Sequence, residues 1–199
     1  MKKEEIISEK YIANNASATR HVVFVNGPPA AGKSSVAEKL AHIMKAPLLS
    51  LDTVKEALFD SLGNGDREYN RKMGRASMDV IWSVVGCMPA GSTVVIDAWL
   101  KYPPYDDLIH ALHSAEVKNI VEIWCWARGE ILAQRYRERV KLRHPGHLGE
   151  EYAEELKSVA DRVAPTRLGP LVEIDTSDGN MEDNSNELFE WVVSELGLD

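Results

Sequence analysis

Residues 21–44 constrain the fold more than any other part of the chain. His21 to Asn26 carries the apolar run Val22-Val23-Phe24-Val25, short and continuous, as in a strand covered on both faces. Ser34 to Met44 places Val36, Leu40 and Ile43 at spacings of four and three, the period of an amphipathic helix. Between them lies Gly27-Pro28-Pro29-Ala30-Ala31-Gly32-Lys33-Ser34. This is the pattern G-x-x-x-x-G-K-[ST], in the strand-to-helix setting that gives it meaning.

The physical demand behind that pattern is close approach. A polyphosphate wrapped by backbone N–H groups leaves no room for a Cβ at the tightest points, hence the glycines. The following helix adds unpaired donors and partial positive charge at its N-terminus. Gly27, Ala30, Ala31, Gly32, Lys33, Ser34 and Ser35 are therefore the expected phosphate-binding residues. Lys33 is placed to reach the β- and γ-phosphates, and the Ser34 hydroxyl to ligate Mg²⁺.

The rest of the chain repeats the alternation. Short apolar strands are expected at 48–51, 93–97, 120–126 and 171–174, and helices at 54–62, 71–88, 106–115, 130–142, 150–163 and 186–196. The longest helix carries Ala76, Val80, Val84 and Met88 on one stripe beside Ser77, Ile81 and Val85; residues 64–69 before it read as a polar loop. Five strands each leading into helix predict an α/β fold, a three-layer sandwich with a parallel sheet and right-handed crossovers. The pattern leaves the strand order open. A length of 199 residues suits one domain over 21–199, with 1–20 as a peripheral segment.

Composition removes several classes of function. With 23 Lys+Arg against 31 Asp+Glu the net charge is −8, which argues against a nucleic-acid partner. Cys87 and Cys125 sit in apolar stretches with no Cys/His cluster, so both are expected as buried, unreactive thiols. No apolar run approaches the ~18 residues of a membrane span, and no secretory leader is visible. A cytoplasmic protein without a membrane partner is expected, as monomer or homodimer.

Two acids stand at strand ends, where an open parallel sheet binds its ligands. Asp97 closes Val94-Val95-Ile96 and is the expected metal-side acid, beside Ser34. Asp52 follows the second strand and is the expected general base for an acceptor hydroxyl, with a helix N-cap as the plainer alternative. Further along, Arg128, Arg135, Arg137, Arg139, Lys141 and Arg143 concentrate positive charge in an acidic chain. Arg135, Arg139 and Arg143 share one helical face. Arg135 and Arg139 are the expected stabilisers of a transferring phosphoryl group; a solvated face is the alternative. His144-Pro145-Gly146-His147 follows, a turn without the third ligand that a metal site needs. Trp99, Tyr102 and Tyr105, stiffened by Pro103 and Pro104, form a loop suited to stacking on an acceptor. Arg71 and Arg75 recur with Arg67 every four residues, either gripping an anionic acceptor group or lying on a solvated face.

Taken together, residues 22–177 resemble the small P-loop kinases of the adenylate-kinase-like group. The likeness is to the branch holding chloramphenicol phosphotransferase-like, zeta-toxin-like and AAA-type small bacterial kinases. It rests on Gly27 to Ser34, Leu51-Asp52, Val95-Ile96-Asp97, Arg128 with Arg135 and Arg139, the 144–147 turn and Ile174-Asp175-Thr176-Ser177. The resemblance implies strand order 2-3-1-4-5, ATP with Mg²⁺, and a helical lid over about 128–150. It also implies Asp52 as the base, and Arg128, Asp175 and Thr176 on the nucleotide. The expected activity is transfer of the γ-phosphoryl group to a hydroxyl of a metabolite, sugar or antibiotic. The alternatives are a nucleotide or nucleoside-monophosphate kinase, and a non-kinase ATPase switch acting on a protein.

Overall fold

The computed structural model describes residues 19–100, 102–178 and 185–198. Five strands, β1 (Arg20–Asn26), β2 (Leu48–Ser50), β3 (Thr93–Asp97), β4 (Val117–Trp126) and β5 (Leu171–Asp175), form one sheet in the order β2-β3-β1-β4-β5. Every pairing is parallel, and the order is the one the resemblance implies. Seven helices are present among the described residues: α1 (Lys33–Met44), α2 (Leu51–Leu62), α3 (Arg67–Cys87), α4 (Asp106–Ser114), α5 (Gly129–Val140), α6 (Tyr152–Ala160) and α7 (Ser185–Leu196).

Alternation along β1 divides the core. Val23 and Val25 pack with α1, α5, α6 and α7 on one face of the sheet. Val22 and Phe24 pack with α3 and α4 on the other. Each such side chain removed from water contributes about 1.5–3 kcal/mol, so the apolar runs of β1 and β3 bind both helical layers to the sheet.

Several boundaries differ from the sequence expectation. Arg20, assigned to the peripheral segment, opens β1 and is buried, donating to Met88 O at 2.8 Å and to Glu116 at 2.8 Å. Residues 1–18 of that expected segment lie outside the described residues. α3 begins at Arg67, because Asp66 caps it by accepting from Tyr69 N at 2.8 Å, so the expected polar loop is shorter. The Ala76/Val80/Val84 stripe is not the buried one: Met73, Ser77, Ile81 and Val85 face the sheet, while Val80 and Val84 are exposed. Cys87 shares that outward turn and is exposed; Cys125 is buried, and burial pushes its thiol up to about 12.

Candidate active site

The turn after β1 has the geometry of a phosphate cradle. Gly27 has φ 142°, and a Cβ there would lie 2.0 Å from the carbonyl oxygen of Cys125 on β4, so only glycine fits. Ala30 and Gly32 also take positive φ, 66° and 79°, which folds the loop back over the start of α1. Lys33 Nζ donates to Pro28 O at 2.9 Å, so the ammonium lies across the loop it serves. Burial lowers the Lys33 pKa, against the pull of Asp97 and Asp52.

Beneath the loop is a polar junction that sequence reasoning missed. Asn26 Oδ1 accepts from Gly27 N at 2.8 Å and from Leu100 N at 3.3 Å, joining the phosphate loop to the segment after β3. Its Nδ2 donates to Glu122 Oε1 at 2.8 Å. Glu122, 1% exposed, also accepts from Thr166 N, Thr166 Oγ1 and Arg167 N at 2.8–2.9 Å. The only signal was a carboxylate inside the apolar run Ile120-Val121-Glu122-Ile123.

Asp97 ends β3 as expected, and its Oδ2 accepts from Ser34 Oγ at 2.7 Å. Burial raises its pKa. Two hard oxygen donors meeting beside a phosphate cradle suit Mg²⁺, which keeps waters and phosphate oxygens in its remaining positions. No group of three or more His, Cys, Asp or Glu capable of holding a metal occurs among the described residues. Asp52 lies in the first turn of α2 rather than at the strand end, and Ser50 is the cap of that helix, so the N-cap alternative for Asp52 does not apply. Arg143 donates to Asp52 Oδ2 at 2.6 Å. Burial alone would raise the Asp52 pKa, but Arg143, His147, Lys33 and Arg139 outweigh it and hold the carboxylate below its ordinary range.

The basic helix serves two places. Arg139 and Arg143 border the cavity that holds Lys33 and Asp52. The Arg139 Nε is buried without a hydrogen-bond partner, and burial lowers its pKa, with Arg143 adding repulsion. Arg135 instead donates to Thr176 Oγ1 at 3.0 Å and Thr176 O at 2.6 Å. Thr176 in turn reaches Ala31 O at 3.2 Å, and Arg128 N donates to Ser177 Oγ at 3.2 Å. Arg128, Arg135, Asp175 and Thr176 thus group at the β5 edge, on the far side of the phosphate loop from Asp52.

The 144–147 turn pairs with α2 in a ladder. Asp52, Glu56 and Asp60 recur every four residues on that helix and meet Arg143, His147 and His144 at 2.6, 2.7 and 3.1 Å. Arg143 also donates to His147 Nδ1 at 3.1 Å, which leaves Nε2–H to donate to Glu56. Phe59 stacks on His144, and a Cβ on Gly146 would fall 2.3 Å from its ring.

One cavity of about 1120 Å³ joins these parts. Ala30, Gly32, Lys33, Ser34, Ser35, Asp52, Asp97 and Arg139 line it, as do Arg71, Arg75, Trp99, Tyr102 and Tyr105. Gly27, Ala31 and Arg135 are not among the residues that line it. Trp99 and Tyr102 meet edge to face at 6.3 Å.

A parallel sheet in this order, with this loop opening its first crossover helix, is the framework of a small P-loop kinase. The chain belongs to the AAA domain family, whose model matches residues 22–163. A provisionally named kinase of Chloroflexus aurantiacus is 29% identical, with a TM-score of 0.79 over 89% of this chain and 99% of that one. Shikimate kinase from Acinetobacter baumannii shares the fold at 15% identity, with a TM-score of 0.58 over 94% and 97% of the two chains. Cytidylate kinase of Pyrobaculum arsenaticum is 29% identical over 124 residues, 59% of this chain and 66% of that relative's length. No helix among the described residues is long and apolar enough to cross a membrane.

Proposed function

We propose that the protein transfers the γ-phosphoryl group of ATP to a hydroxyl group of a small metabolite, sugar or antibiotic. The observation that carries this reading is the Asp52 carboxylate, which lines the same cavity as Lys33 and Ser34. An acceptor phosphate is already anionic and needs no base, whereas a hydroxyl must lose its proton as it attacks. In this reading Asp52 takes that proton, the acceptor oxygen bonds to the γ-phosphorus, and the β–γ bridging oxygen leaves with ADP. Lys33 and the phosphate-loop N–H groups hold the β- and γ-phosphates, and Arg139 stabilises charge on the transferring group. Ser34 and Asp97 would hold Mg²⁺, which neutralises phosphate charge when bound. Arg128, Arg135, Asp175 and Thr176 border the adenine side. No membrane or nucleic-acid partner is needed, and we place the reaction in the cytoplasm.

A second reading, a nucleoside-monophosphate kinase, is favoured by the similarity to cytidylate kinase. Incubation with ATP, Mg²⁺ and a panel of hydroxylated compounds and nucleoside monophosphates separates the two by mass spectrometry of products. A phosphate ester on a hydroxyl supports the first reading, and a nucleoside diphosphate supports the second. ATP hydrolysis stimulated by a protein partner, with no phosphorylated small molecule, overturns both in favour of a switch.

A further inference from the structure

The chain has eleven arginines, all among the described residues. Six form ion pairs with carboxylates. Arg135 is held by Thr176 and Arg162 by Ser158. Among the described residues, Arg71, Arg75 and Arg139 have neither an ion pair nor a hydrogen-bond partner, and all three line the cavity of about 1120 Å³. Arg71 and Arg75 are exposed to solvent yet line this cavity, and in a chain with 31 acidic residues no carboxylate pairs with either.

Arg139 rises from α5 beside the phosphate loop, where the nucleotide's own phosphates answer it. Arg71 and Arg75 belong to α3, on the wall shared with the aromatic loop, and need a different counter-charge. Arg67, Arg71 and Arg75 repeat every four residues, so neighbouring guanidinium groups repel along one helix face. Glu155 relieves Arg67 through both carboxylate oxygens, at 2.6 and 2.8 Å. Asp79 stands one turn beyond Arg75 and lines the same cavity, yet no ion pair joins them. Lys55 Nζ, which donates to Asn70 Oδ1 at 2.7 Å, lies 3.9 Å from where a Cβ on Gly74 would be, beside the two free arginines. Three cationic groups from two helices therefore converge on one stretch of wall.

We infer that the acceptor carries an anionic group of its own, a carboxylate or a phosphate, which Arg71 and Arg75 bind while its hydroxyl meets Asp52. This rests on the hydroxyl-transfer reading. The planar guanidinium suits either oxyanion through paired hydrogen bonds. Trp99 and Tyr102, packed edge to face on the cavity lining, offer aromatic surface to the carbon face of a polyhydroxylated acceptor. Asp79 and Asp107 on the same wall can accept from its other hydroxyls. The class is thus a sugar acid or a sugar phosphate rather than a neutral polyol.

The test measures binding and turnover separately. The whole protein, with Mg²⁺ and a non-hydrolysable ATP analogue, is titrated calorimetrically with matched probes: gluconate against sorbitol, and glucose 6-phosphate against glucose. At least one acidic member should bind about tenfold or more tightly than its neutral partner. The pair that responds tells carboxylate from phosphate. Arg71→Ala and Arg75→Ala should each remove most of that preference, while Arg162→Ala should leave it. Equal or better binding of the neutral probes, acidic binding indifferent to both α3 variants, or no acidic binding at all each overturns the inference. Turnover with ATP then addresses the other reading. An acid bound through Arg71 and Arg75 but never phosphorylated sinks hydroxyl transfer and leaves the anion site standing.

Discussion

Asp52 and Lys33 share a cavity but depend on different neighbours. Lys33 is set by the loop it lies across, through Pro28 O. Asp52 is set by a residue 91 positions away, Arg143, which covers one of its oxygens. Replacing Asp52 with Asn keeps the shape and removes the proton acceptor. The expected result is a fall in kcat of about 10²–10⁴ with ATP binding retained, read from steady-state kinetics beside a nucleotide titration. Unchanged turnover would move the base to Asp97. At this scale the sequence was informative wherever chemistry is local: the glycines, Lys33 and Ser34 occupy consecutive positions and act together. Arg143 was visible by its four-residue spacing from Arg139, but its partner on α2 was not. Arg135 and Arg139 share a face by spacing, yet one meets Thr176 and the other the cavity. One turn of helix is enough to separate two neighbouring sites.

At the scale of elements, the pairing of α2 with the 143–147 turn is the contact most open to test. His147 satisfies Arg143 and Glu56 together only as the neutral ring with its proton on Nε2. Burial lowers its pKa, Arg143 and Lys55 act in the same direction, and Asp52 and Glu56 oppose. Since the folded value lies below the unfolded one of about 6.5, the stability it contributes is full above the unfolded value. It is lost as pH falls through the folded value. Thermal melting points taken from pH 8 down to pH 5 should therefore drop more steeply for the wild type than for His147→Gln. Parallel curves would remove His147 from the account. The turn's composition was legible in the sequence, but its occupation was not. Asp52, Glu56 and Asp60 recur at helical spacing without announcing which cations face them. The start of α3 was misjudged for a related reason, since a polar first turn with an Asp66 cap reads like a loop.

For the whole molecule, the sheet brings the phosphate loop, Asp97 and the aromatic loop together at the carboxyl ends of β1 and β3. Binding that engages the loop should stabilise the entire fold. At a hundred times its dissociation constant, Mg²⁺–ATP should add about 2.7 kcal/mol, seen as a higher melting temperature. Lys33→Ala should lose most of that shift while melting like the wild type without nucleotide. The five strands and their helices were readable because each is a short apolar run beside a helical period. Strand order was not, since continuous runs buried on both faces carry no mark of their neighbours. Glu122 carries such a mark. It pairs in register with Phe24 on one side and Leu171 on the other, and its four donors come from β1 and the 166–167 stretch. A nascent β4 that slid by one position would turn that carboxylate to the opposite layer and strand it in hydrocarbon. One hydrophilic residue in a greasy ribbon thus acts as an alignment pin, rejecting mis-threaded sheets before any ligand arrives.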